Sequence, residues 1–136
     1  MSLLFLDSSV LIDHLNDRQT PAVTLLRATL GIRELVIGDL VLMEVLQGLR
    51  DERSVKLTAG IMSMFRCLEL GGVGRVTEAA GVYRLLRAAG VTPRSTVDVL
   101  IASFCARQRI ELLASDRDFR LMAPYIGLRL AVPSVS

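Results

Sequence analysis

Four carboxylates occupy positions in this chain where charge is expensive. Asp7 follows the apolar run Leu3-Leu4-Phe5-Leu6. Glu44 lies inside Leu40-Val41-Leu42-Met43-Glu44-Val45-Leu46, and Asp98 inside Val97-Asp98-Val99-Leu100-Ile101. Asp116 follows Leu112-Leu113-Ala114-Ser115, with Asp118 two residues on. An isolated carboxylate in apolar surroundings either takes up a proton or needs a cation. Several brought together repel one another, and a divalent metal resolves that repulsion. All-oxygen ligation favours Mg²⁺ or Mn²⁺ over Zn²⁺. Such a centre suits phosphodiester hydrolysis, in which the metal activates water and steadies charge on the phosphate.

Each acid also has a purely structural reading. Asp7 and Asp116 are each placed to cap the helix that follows. Asp98 stands three residues after Ser95, the arrangement of a capping box. Glu44 has no capping role, and its alternatives are a solvent-exposed helix edge or a buried pair with an arginine. Asp118 reads otherwise as a solvated acid favoured by the helix dipole.

The elements that would position these residues alternate between strand and helix. Residues 2–6 are apolar on both faces, as in a buried parallel strand. Helices are expected over 8–16, from Pro21 to about Leu30 behind a Thr20 cap, over 40–49, 53–66 and 76–89, from Ser95 to about Gln108, and from Arg117. Short strands are expected at 35–37, 67–70, 112–114 and 128–130. Helix 40–49 has almost no polar face, which predicts burial. The glycines at 71–74 lack a following Lys-Ser/Thr and read as a turn rather than a nucleotide loop. Alternating β and α segments predict a three-layer α/β/α fold around a mostly parallel sheet of 4–5 short strands. Asp7 and Asp116 then stand at carboxyl ends of strands, the edge where open α/β sheets build sites.

Composition narrows the class. The chain has 136 residues, which predicts a single domain over 1–136, and 51% of them are hydrophobic, enough for a substantial core. Net charge is only +2, so total charge does not announce a nucleic-acid binder. Lys56 is the sole lysine among 16 basic residues, which leaves fifteen arginines. Cys67 and Cys105 form no CxxC pair and are expected to be buried thiols in a reducing cytosol. No basic region precedes Leu3 and no apolar run approaches about 20 residues, so neither secretion nor membrane insertion is expected. His14, the only histidine, is expected at the surface and without a catalytic role. Most of the six aromatics fall at apolar positions and are expected to pack the core.

Three pieces of sequence, LLFLDSSVLIDHL, LVLMEVLQGLR and TPRSTVDVLIASFCARQRIELLASDRDF, together with the overall length, resemble a PIN domain, and within it the VapC-type ribonuclease toxins of toxin–antitoxin pairs. No single piece is decisive, but together they cover nearly the whole chain in order. The resemblance implies a cytoplasmic, metal-dependent endoribonuclease that cleaves tRNA or ribosomal RNA at a loop and leaves 5′-phosphate and 3′-hydroxyl ends. Asp7, Glu44, Asp98 and Asp116 match the family acids that hold Mg²⁺ or Mn²⁺, and Asp118 can share or replace the fourth role. Ser9 matches a small hydroxyl residue near the metal, and Arg94 and Ser95 resemble the family's positively charged approach to the site. The resemblance further implies a homodimer and a VapB-like antitoxin that blocks the site, for which the weakly polar helices at 21–30 and 40–66 are candidate contacts.

Two other classes compete. Haloacid dehalogenase phosphatases and response-regulator receivers also begin with a strand ending in Asp. The phosphatases want a second acid where Ser9 stands, and both want a late lysine that this chain lacks. A PIN-like module without activity, serving only as a binding surface, is the other alternative.

Overall fold

The computed structural model describes residues 2–131. Its core is a sheet of four parallel strands in the order β3-β2-β1-β4. β1 (Leu3–Leu6) is central: Leu4, Phe5 and Leu6 are fully buried, and it pairs with β2 (Glu34–Gly38) on one side and β4 (Glu111–Leu113) on the other. β3 (Arg66–Leu68) forms the edge beyond β2. The doubly apolar pattern of residues 3–6 follows from this position, since a central parallel strand is covered on both faces.

The connections fix the layers. From β1 the chain passes through α1 (Ser8–Leu15) and α2 (Pro21–Thr29) to β2, then through α3 (Asp39–Gln47) and α4 (Glu52–Met62) to β3. It then reverses across the sheet through α5 (Val73–Ala88) and α6 (Thr96–Gln108) to β4, and ends in α7 (Arg117–Ile126). Right-handed crossovers running in opposite directions lay their helices on opposite faces. The packing agrees: α1 contacts α2 and α3, and α3 contacts α4, while α6 contacts both α5 and α7. The sense of winding changes between β1 and β4, and at such a switch point the crevice outside the strand ends stays open.

Local sequence sets the helix starts. Asp7, Thr20, Asp51, Ser95 and Asp116 each accept a backbone N–H of the first turn they cap. Gly72 precedes α5 at φ +113°, a backbone conformation open to glycine. α6 is the central helix: residues 99 to 105 are buried without interruption.

Four expectations need correction. Leu128-Arg129-Leu130 is not a strand; it contributes one parallel bridge, from Leu130 to Leu112, because Gly127 turns the chain at φ +70° only just before it. α3 is not buried all round: Val41 and Val45 face the core, but Met43 is exposed and Leu40, Leu42 and Glu44 are half-buried. Cys105 is buried as expected, but Cys67 lies on the edge strand and is exposed. His14 is half-buried, its Nδ1 accepting from Arg27 Nε at 3.2 Å. Phe5 and Phe119 are core residues, whereas Tyr125 is exposed.

Candidate metal centre at the sheet switch point

The crevice between the ends of β1 and β4 is lined by carboxylates. Asp7 comes straight off β1 and is held there from three directions. Its N–H donates to the Leu113 carbonyl of β4 at 3.0 Å. Its Oδ2 accepts from the Ser9 hydroxyl at 2.7 Å and from the Ser9 N–H at 3.4 Å. Ser9 Oγ in turn accepts from the Ser115 N–H at 3.3 Å, so one hydroxyl ties together the turns after β1 and β4. Asp7 is only 3% exposed. Burial pushes its carboxyl above the usual range, the Ser9 hydrogen bonds act against that, and the charge of Asp116 adds to it.

Glu44 reaches the same crevice from α3. Burial raises its carboxyl, the nearby charge of Asp7 raises it further, and the Ser8 hydroxyl opposes both. Asp98 enters from the first turn of α6. Its N–H is capped by Ser95 Oγ at 3.2 Å, which assigns the Ser95 side chain to the helix terminus. The Asp98 carboxyl is pushed up to about 7 by burial first, then by Asp7, Asp116, Glu44 and Asp118. That all four other acids act on Asp98 means that the five form one electrostatic group.

Asp116 and Asp118 complete the outer side. Asp116 Oδ1 caps α7 by accepting from the Asp118 N–H at 2.9 Å. One oxygen from each of Asp98, Asp116 and Asp118 lies within 4.8 Å of the other two. Arg94 closes this side: its N–H and its Nε point at Asp118 Oδ2, at 3.4 and 3.5 Å, and its terminal nitrogen stands 4.0 Å from Asp116 Oδ1.

The inner acids have no such counter-charge. Asp7 Oδ1 and Glu44 Oε1 are both buried, and neither has a hydrogen-bond partner among the described residues. A buried acceptor left unpaired costs about 1–3 kcal/mol, more when charged. Two of them, beside a half-buried third acid, fit a hard divalent cation with oxygen ligands. The structure thus brings all of Asp7, Glu44, Asp98, Asp116 and Asp118 to one edge, with Ser9 and Arg94 in contact with them. Sequence reasoning missed Ser8, whose only signal was its place in the first turn beside Ser9.

Fold and site together define a doubly wound α/β protein with an acidic centre at its switch point. Residues 4–123 match the PIN domain family, and the chain belongs to it. PIN domain nucleases are metal-dependent hydrolases. Among curated relatives, the chain is 25% identical over 131 residues to Ribonuclease VapC11 of Mycobacterium tuberculosis and to VapC ribonuclease Mb1587 of Mycobacterium bovis, in each case covering 95% of this chain and 98% of the relative. Among solved structures, VapBC2 from Rickettsia felis bound to a promoter DNA fragment superposes with a TM-score of 0.75 at 16% identity, over 95% of this chain and 97% of that one. Mycobacterium tuberculosis VapC20, described as a Sarcin-Ricin loop cleaving toxin, gives 0.65 at 17% identity, over 93% and 98%. At these identities the structural likeness carries the fold. No helix among the described residues is long and apolar enough to cross a membrane.

Proposed function

We propose that this chain, acting as a single PIN domain over its 136 residues, is a Mg²⁺- or Mn²⁺-dependent endoribonuclease of the VapC toxin type. The observation that carries the reading is the pair of buried, unpartnered carboxylate oxygens, Asp7 Oδ1 and Glu44 Oε1, inside a five-acid group. Asp7, Glu44 and Asp98 would hold the cation, with Asp116 and Asp118 on its outer side. When bound, a divalent cation supplies Lewis acidity toward phosphate and lowers the pKa of water.

The protein's own groups supply the rest. Ser9 fixes the Asp7 carboxylate and, through Ser115, the separation of the β1 and β4 ends. Asp98, whose carboxyl burial and the neighbouring acids push up to about 7, would give up its proton on taking up the cation, and a carboxylate of the cluster not bound to the cation would take the proton of the attacking water. Arg94, the cation nearest the acids, is placed to meet a phosphate by its planar fork. In-line attack on phosphorus with departure of the 3′-oxygen leaves 5′-phosphate and 3′-hydroxyl ends.

The substrate is structured RNA cut at a loop of tRNA or ribosomal RNA, consistent with the ribonuclease names of the relatives and the loop-cleaving description of VapC20. The partners are a VapB-like antitoxin and a second copy of the chain, in the cytoplasm. The VapBC complexes among the structural neighbours support an antitoxin. So do the exposed Met43, Leu57, Ile61 and Met64 on and just after α3 and α4, which would offer apolar surface to a partner helix.

The test is cleavage of total tRNA and ribosomal RNA by the purified protein, with mapped 5′ ends. Asp7→Asn keeps the cap on α1 while removing the charge. Wild type should cleave with Mg²⁺ or Mn²⁺ and not in EDTA, and the variant should be inactive but folded. Cleavage by Asp7→Asn near the wild-type rate, or undiminished cleavage in EDTA, would sink the assignment. Absence of any thermal shift with either ion would favour a binding module without activity.

A further inference from the structure

The acidic group is divided into two halves with opposite electrostatic needs. On the inner side, Asp7 Oδ1 and Glu44 Oε1 are buried with no partner. On the outer side, each acid already has donors. Asp118 Oδ2 faces the N–H and Nε of Arg94, and Asp116 Oδ1 faces the Asp118 N–H and the Arg94 terminal nitrogen. Yet Asp98, Asp116 and Asp118 bring oxygens within 4.8 Å of one another, a spacing that by itself would take an ion. Five acids at one edge would accommodate two cations, and one full positive charge is already in place.

Building on the function proposed above, we infer that Arg94 is the resident counter-ion of the outer pair. The cluster accordingly binds one divalent cation among Asp7, Glu44 and Asp98, and Arg94 excludes a second from the Asp98–Asp116–Asp118 group. Three features suit Arg94 to this. A guanidinium does not lose its proton at any physiological pH, so its charge is always present. The backbone on which it rests is fixed, because Pro93 is buried and the Arg94 N–H itself points at Asp118. The side chain is 76% exposed while that of Asp118 is 9% exposed, so the arginine meets the acid from the solvent side.

The experiment counts ions. Metal-free wild type, Arg94→Ala, Arg94→Lys and Arg94→Ala/Asp118→Asn are titrated with Mn²⁺ and followed calorimetrically and by the spin resonance of free Mn²⁺, after circular dichroism in EDTA confirms that each is folded. The expected result is one ion on wild type and on Arg94→Lys, a second ion on Arg94→Ala, and a return to one on the double variant. Two ions on wild type, or one ion of unchanged affinity on Arg94→Ala, overturns the inference and leaves the metal-site reading intact. A blank titration of wild type overturns the metal site itself, and this inference with it.

Discussion

Replacing Asp98 by Asn should stabilise the metal-free protein at alkaline pH. In the unfolded chain this carboxyl ionises near 3.8; in the folded protein it does so at about 7. Between those values the folded state holds a proton that the unfolded state has lost, so stability falls as pH rises from about 4 to about 7 and is flat above. The difference corresponds to about 4 kcal/mol at 1.36 kcal/mol per pH unit. Asp98 is half-buried, so relaxation and water entry reduce this to about 2 kcal/mol in practice. For a domain of this length that is about 8 °C in Tm. The assay is thermal unfolding in EDTA from pH 4 to pH 9. Wild type should melt progressively lower toward neutrality. Asp98→Asn should melt about 8 °C above wild type at pH 8 and depend less on pH, with a residual slope from Asp7 and Glu44, whose carboxyls are also raised. Excess Mn²⁺ should reverse the order, because ligand binding to the native state stabilises wild type selectively. A variant that melts at or below wild type in EDTA at pH 8 would refute the argument that crowding of charge at this edge costs the fold stability.

Two further substitutions probe the frame around the site. Ser9→Ala removes the donor to Asp7 Oδ2 and the acceptor for the Ser115 N–H. It should lower stability by about 1–2 kcal/mol, read as a reduced urea midpoint in EDTA, and an unchanged midpoint would mean that the Ser9 bridge contributes nothing. Gly38→Ala places a Cβ 2.6 Å from Leu70 Cδ1 and 3.1 Å from Phe5 Cζ, both in fully buried side chains. Overpacking of this kind costs about 1–3 kcal/mol; a urea midpoint equal to wild type would show that the core yields more readily than its packing suggests.

Much of the site was legible because its residues violate local rules. Glu44 in an apolar helix and Asp98 in an apolar run stood out, and Asp7 and Asp116 ended strands. The capping alternatives were not competitors after all: Asp7 caps α1 with Oδ2 and leaves Oδ1 unpartnered, and Asp116 both caps α7 and stands in the cluster. Ser95 likewise caps a helix, its hydroxyl oxygen accepting from the Asp98 N–H. What failed was reasoning about exposure. Apolar composition predicted a buried α3, and the usual burial of free thiols predicted a buried Cys67. Helix α3 is on an outer layer with one face open, and β3 is an edge strand. Neither sheet order nor layer position is encoded in local periodicity.

The sequence by itself determined the alternation of strands and helices, the side-chain caps that start several of the helices, and which carboxylates are costly, because propensity, periodicity and desolvation act over a few neighbouring residues. Only the tertiary structure decided the strand order that puts the winding reversal between β1 and β4, and with it the convergence of acids from α3, α6 and both strand ends on one crevice. It also decided that Arg94 lies over Asp118 while Asp7 Oδ1 and Glu44 Oε1 go without partners. Those facts depend on distances between residues far apart in the chain, and only packing sets them.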